Sequence, residues 1–174
     1  MGVFLIFWYN IFMDNKFEKR EEISSKTETI RSDVLENLIY KGTGEPQDRR
    51  FLSTEEGGVF KYFDPRDMTD PLGNHENKFF SLIKIDDKII GLSELEKNPY
   101  QENSFWIKFL SIDPEYQGKG YASKLAEEVF RFAKQKGFSV ETSSYTDEGY
   151  KKLKDLFNKL ANKYSVKFID KGKM

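Results

Sequence analysis

FLSIDPEYQGKGYASKL, residues 109–125, changes character twice within seventeen residues. Its first four residues continue the aromatic and branched run SFWIKFLSI (104–112), the composition of a buried strand. Asp113 and Pro114 interrupt that run, and Gly118 and Gly120 follow in a short turn. From about Gly120 to Gln135 apolar residues recur at helical spacing, through Tyr121, Ala122, Leu125, Ala126, Val129, Phe130 and Ala133, with Gly137 as the stop. A strand, a glycine turn and a helix start form an anion-binding corner. The first helical N–H groups lack internal partners, the helix dipole favours negative charge there, and glycines let the backbone approach a ligand. Lys119, Lys124 and the Ser123 hydroxyl would supplement those amides. The spacing is not G-x-G-x-x-G and no Walker lysine–serine pair follows, so dinucleotide and P-loop readings lose ground. Glycine spacing alone leaves a ligand-free corner open.

Outward from this stretch, the second half of the chain is regular. KFFSLIKID and IIGLSELE, joined at DDK, read as a hairpin, and SFWIKFLSI as the third strand. FSVETSSY is a further strand. A helix from about Glu148 to Tyr164 follows, carrying Tyr150, Leu153, Leu156, Phe157, Leu160 and Ala161 on one side, and SVKFID closes the chain as a strand. In the first half, KFEKREEIS is a weak candidate for a first strand. TETIRSDVLENLIYKG predicts a helix with Ile30, Val34, Leu35, Leu38 and Ile39 on one face and Gly42 as its stop. Residues 41–77 are rich in glycine, proline and charge, and predict loops with a short helix near Thr54. Strands interleaved with helices define an α/β (α+β) class, a mixed central sheet flanked by helices.

Composition narrows the function. The 174 residues suit a single domain, read as residues 14–174 behind an apolar extension, residues 1–13. MGVFLIFWYNIFM carries no charge but is shorter than the roughly 20 residues that span a bilayer, and it lacks the basic start of a secretory signal. It is read as a dispensable extension, with a packed strand and a membrane contact as alternatives, and the protein as cytoplasmic. Twenty-eight basic against twenty-nine acidic residues argue against a general nucleic-acid binder. The absence of cysteine excludes disulfides, thiolate zinc sites and a cysteine nucleophile. His75, the one histidine, lies in the loop-like DPLGNHEN, which argues against a Ser-His-Asp triad or a multi-histidine metal site.

The 109–125 stretch closely resembles the acetyl-CoA-binding motif of the GNAT superfamily, the Gcn5-related N-acetyltransferases. That motif reads Gln/Arg-x-x-Gly-x-Gly/Ala after a strand and a V-x-P-like turn, and it matches Gln117, Gly118, Lys119, Gly120, Tyr121 and Ala122 behind Ile112-Asp113-Pro114. The similarity runs from about Lys78 to Tyr164. It implies that amides from Gln117 to Ala122 wrap the cofactor pyrophosphate, with Ser123 adding a hydroxyl. It further implies that the strand around Leu110 and Ile112 pairs with the pantetheine arm, and that an N–H near Leu110 holds the thioester oxygen. The implied reaction moves an acetyl group from acetyl-CoA to a primary amine by direct transfer in a ternary complex.

Departures from the pattern sit where proton transfer is expected. The strand position that carries a glutamate base in some members is Trp106 here. Glu94 and Glu96 share a face of the preceding strand and are the next candidates, Glu94 being the residue assigned. Registering TDEGYKKL on the N-x-x-A-x-x-x-Y pattern places Thr146 at the asparagine, Gly149 at the alanine and Leu153 at the tyrosine. Thr146 is then a pantetheine contact, and Tyr150, which also fits its helix's apolar stripe, is the acid assigned. The expected partner is an amine-bearing substrate whose site residues 41–77 help to shape, with no nucleic acid, membrane or metal; a homodimer stays open. The alternative is a catalytically silent CoA-binding or regulatory module of the same fold.

Overall fold

The computed structural model describes residues 24–43, 46–52, 54–60, 63, 75–142 and 147–172, the last of these with side chains from residue 153. The apolar extension and Thr146 therefore lie outside the described residues, as does the Tyr150 side chain. The elements are β1 (Ser25–Arg31), α1 (Ser32–Tyr40), β2 (Lys78–Ile85), β3 (Lys88–Lys97), β4 (Ser104–Ile112), α2 (Tyr121–Lys136), β5 (Ser139–Thr142), α3 (Asp147–Tyr164) and β6 (Phe168–Ile169). Short 3-10 turns occupy Arg49–Phe51, Thr54–Glu56 and Pro114–Tyr116. The strands lie in chain order in one six-stranded sheet. β1 to β4 are antiparallel, and β5 and β6 join parallel to what precedes them.

Each face of the sheet buries a separate apolar cluster. On one face, α2 and α3 supply Val129, Phe130, Phe157 and Leu160 against Leu95, Phe105, Ile107 and Val140. On the other, Leu35 and Ile39 of α1 and Phe51, Phe60 and Phe63 close over Phe80, Leu82, Leu92 and Phe109. Burying three phenylalanines of the 41–77 segment fixes that excursion to the sheet, since each aromatic removes about 150–250 Å² from water.

The first helix is shorter than its periodicity predicts. Ser25–Arg31 pairs with β2 over seven residues, Ile30 opposite Phe80, and helix begins only at Ser32. Sheet pairing outweighs the weak helical preference of the Thr- and Ile-containing segment. Val34 and Leu38, expected on the buried face, are 40% and 44% exposed, whereas Leu35 and Ile39 are buried. KFEKREEIS reaches the described residues only at its end. His75 is half-buried, with its Nδ1 3.1 Å from Ser32 Oγ at the start of α1, and so is more than a free surface loop residue.

β4 contains the fold's decisive irregularity. Glu94 of β3 lies opposite Phe109 and Leu95 opposite Ile107, so Lys108 has no partner on β3 and forms a bulge. The extra residue reverses the alternation. Phe105 and Ile107 face α2 and α3, Phe109 turns to the α1 side, and Leu110 and Ile112 return to the α2 side. Gly91, opposite Ile112, lets β3 pass close by. A Cβ there would stand 2.5 Å from Ile112 Cδ1 and 2.6 Å from Ile83 Cγ2. Gly91→Ala is therefore expected to lower unfolding stability by about 1–3 kcal/mol, measurable as a reduced urea midpoint with an unchanged m-value.

Candidate functional site

The turn after β4 is built from its own polar groups. Asp113 is 3% exposed, and its Oδ1 accepts the Glu115 amide at 3.1 Å, capping the turn that Pro114 opens. The Gln117 amide donates to the Pro114 carbonyl at 3.3 Å, and its Nε2 donates to the Ile112 carbonyl at 2.9 Å. Gln117 thus belongs to the frame of the turn, where the motif implied a ligand-facing amide. The Ser123 amide is likewise used, donating to the Gly120 carbonyl at 3.1 Å. Between them the amides of residues 118 to 122 find no acceptor among the described residues.

Two left-handed glycines open this run of donors. Gly118 has φ 76° and Gly120 φ 81°, and a Cβ on either would meet nothing within 4 Å. The space outside the turn is free, and the backbone conformation itself demands glycine. Tyr121 points its ring into the core beside Leu125, so only its amide belongs to the cradle, and Ala122 packs against the same cluster. Ser123 is exposed at the rim. Lys119 donates to the Glu115 carbonyl at 3.1 Å, and Lys124 reaches Ser25 Oγ at 3.0 Å. Both remain near the cradle as exposed positive charge.

The second part of the site is a strand edge that has no pairing strand among the described residues. β4 runs beside β3 to Ile112, but its parallel pairing with β5 ends, among the described residues, at Ile107 and Thr142. Asp113 donates its amide to the Ile90 carbonyl of β3, and the Phe109 carbonyl accepts Ser93 Oγ of the same strand. Backbone groups alternate sides along a strand, so those of Leu110 and Ile112 face away from β3, on the side where β5 pairs with the first half of the strand. The glycine turn and the edge meet at Ile112, whose carbonyl holds Gln117.

The two candidate carboxylates of β3 separate here. Glu96 lies opposite Trp106, within the closed part of the cleft, and its Oε2 is 3.4 Å from Lys108 Nζ. Glu94 lies opposite Phe109, level with the open edge, and is half-buried between Phe80 and Phe109 on the adjacent strands. Trp106 is a structural donor. Its Nε1 bonds Glu141 Oε1 at 2.6 Å, while Asn98 Nδ2 and Lys171 Nζ approach the same carboxylate at 3.1 Å. Glu141 is 1% exposed. No spacing in the sequence points to it, because its three partners come from three separate segments. Leu153 packs against the α2–α3 core.

A further polar group was not legible beforehand. Arg50 donates through Nη1 to the Ile89 carbonyl at 2.6 Å and stands 3.5 Å from Asp113 Oδ2, while its Nε and Nη2 grip Asp48. Burial opposes the charge on Asp48, but hydrogen bonds and charge from Arg50 outweigh it and hold the carboxyl below its ordinary value of 3.8. Burial likewise opposes the Arg50 charge, and its bonds to Asp48 and Asp113 raise its pKa regardless.

The model of the acetyltransferase (GNAT) family matches residues 44–168, and the chain belongs to that family. A solved GNAT-family protein from Desulfovibrio desulfuricans is similar in fold, with a TM-score of 0.50 at 17% identity over 79% of this chain and 84% of that one. A GNAT-family acetyltransferase from Staphylococcus aureus is 24% identical over 73% of this chain and 91% of its own, with a TM-score of 0.45. The ribosomal-protein-S18-alanine N-acetyltransferase of Escherichia coli is 9% identical over 79% and 76%, with a TM-score of 0.48. No curated protein sequence matches the chain.

The Asp48 pair makes a pH prediction. A folded pKa below 3.8 means that the pair's stabilisation is fully present above 3.8 and is lost as the pH falls through the lower folded value. The urea midpoint of the wild type should therefore decline more steeply below pH 3.8 than that of Asp48→Asn, followed by circular dichroism across an acid series.

Proposed function

We propose that the protein is an N-acetyltransferase that moves the acetyl group of acetyl-CoA to a primary amine by direct transfer. The observation that carries this reading is the continuity of five amides, residues 118–122, that find no acceptor among the described residues, with the Leu110–Ile112 edge of β4, which no described strand pairs. Family members use acetyl-CoA, a long ligand with an anionic pyrophosphate and an amide-containing arm, and these two surfaces fit its two parts. The amides of Gly118, Lys119, Gly120, Tyr121 and Ala122 would take the pyrophosphate, with Ser123 adding a hydroxyl, Gln117 bracing the turn and Thr146 approaching the arm. Leu110 and Ile112 would pair with the arm as a neighbouring strand does.

Acetyl-CoA supplies an acyl group activated as a thioester. The Leu110 N–H, directed at the open edge, would donate to the thioester oxygen as negative charge grows there, a contribution worth several kcal/mol when such a donor is preorganised. Glu94, level with that edge, is the assigned acceptor of the ammonium proton, and Tyr150, in the first turn of α3, is the assigned donor to the departing thiolate. With no cysteine in the chain, transfer passes straight to the amine without an acyl-cysteine stage.

The second reading, a CoA-binding module without catalysis, is favoured by two side chains. Trp106 fills the place of the strand glutamate and is committed to Glu141, and Leu153 fills the place of the tyrosine and is committed to the core. Thiol release from acetyl-CoA across polyamines, aminoglycosides, amino acids and peptide N-termini distinguishes the two: release with any amine supports transfer, and tight binding without release supports the module. Under both readings, CoA at about a hundred times its Kd should raise Tm by roughly 5–10 °C, while adenosine should not. Gly120→Val, strained at a positive φ, should abolish that rise while keeping the native circular dichroism spectrum.

A further inference from the structure

Arg50 is remote in sequence from the glycine turn but joined to it in space. It lies in the 3-10 turn Arg49–Phe51 of the excursion between α1 and β2, on the α1 side of the sheet. Its own backbone is fixed there: the Arg50 amide donates to Asp48 Oδ1 at 3.0 Å and its carbonyl accepts the Val59 amide at 3.0 Å. From that base the guanidinium reaches the Ile89 carbonyl at the start of β3 and the Asp113 carboxylate at the end of β4.

Asp113 divides its two oxygens between two tasks. Oδ1 caps the Pro114–Tyr116 turn through the Glu115 amide, and Oδ2 faces Arg50. The side chain is 4% exposed, so without Arg50 it would be a buried carboxylate with one oxygen lacking a charged partner. Burying such a charge is unfavourable enough that the carboxylate would turn outward to water. That response loosens the cap, and the residues it holds lead directly into Gly118 and the open amides.

We propose that Arg50 is a positioning residue for cofactor binding, acting through Asp113 to hold the 114–117 turn so that amides 118–122 converge on the ligand's pyrophosphate. The inference rests on the acetyl-CoA reading of that turn. It links the α1–β2 excursion, expected on the acceptor side, to the cofactor side through one buried ion pair. The raised pKa of Arg50 and the lowered pKa of Asp48 accord with a guanidinium that stays charged and braced in this position.

The test is a double-mutant cycle on full-length protein, with CoA as the probe in titration calorimetry and urea unfolding as the stability control. Arg50→Gln should weaken CoA binding by about fivefold or more. Asp113→Asn, which keeps an oxygen for the Glu115 amide but loses the charge, should weaken it as well. In the Asp113→Asn background Arg50→Gln should add little, because both remove one interaction. Asp48→Asn, which leaves Arg50 facing Asp113 but weakens its brace, should lower stability and weaken CoA binding by less than Arg50→Gln does. If Arg50→Gln does not fold, Arg50→Lys takes its place in the cycle; it keeps the charge without the fork, and an affinity between wild type and Asp113→Asn is expected. Unchanged CoA affinity in a folded Arg50 variant, or additive losses in the cycle, overturns the proposal. Wild-type protein that takes up no CoA overturns the cofactor reading itself, and that result is read before any variant is made.

Discussion

β4 carries two incompatible demands, and the structure follows from how it meets them. It must pair with β3 to its last residue, because the hairpin and both clusters are built on that register. It also pairs with β5, among the described residues, only as far as Ile107. The bulge at Lys108 reconciles them by bending the strand and reversing its faces. The result is a stretch of backbone inside a covered sheet whose polar groups, among the described residues, point to an edge without a strand. Unpaired backbone groups in such a place are unfavourable unless something completes them, and the arm of the proposed acetyl-CoA would do so.

The glycine turn extends that surface around the corner. Its frame uses polar groups of the turn itself: Asp113 caps, Gln117 ties the turn to Ile112, and Ser123 closes the first helical turn. What is left over is a set of amides presented together by two left-handed glycines at the start of α2, where the helix dipole adds to them. The rigidity of the frame matters more than the number of donors. A preorganised set of donors gains affinity because its ordering is complete before the ligand arrives.

Much of this was legible from the residues and some was not. The 109–125 stretch announced a strand, an anion-binding corner and a helix, because glycines, a proline and helical periodicity act locally, and the family pattern on Gln117 to Ala122 identified the same turn. The Lys108 bulge was not legible: SFWIKFLSI alternates well enough to hide it, and only pairing with β3 reveals the extra residue. Ile30 was assigned to a helix because periodicity does not register a strand partner fifty residues away. Glu141, Asp48 and Arg50 escaped for the same reason, their roles being set by partners from distant segments. Glu94 and Glu96 share a face, as alternation implies, yet only the end of the β4–β5 pairing separates a carboxylate at the open edge from one paired with Lys108.

The central claim is that one ligand engages the turn and the strand edge together. Amide hydrogen exchange with and without CoA tests it most directly. The account predicts slowed exchange at residues 118–122 and at Leu110 and Ile112, with β1 and the β2–β3 hairpin turn unchanged. Slowing confined to other segments, or no slowing at saturating CoA, would contradict it.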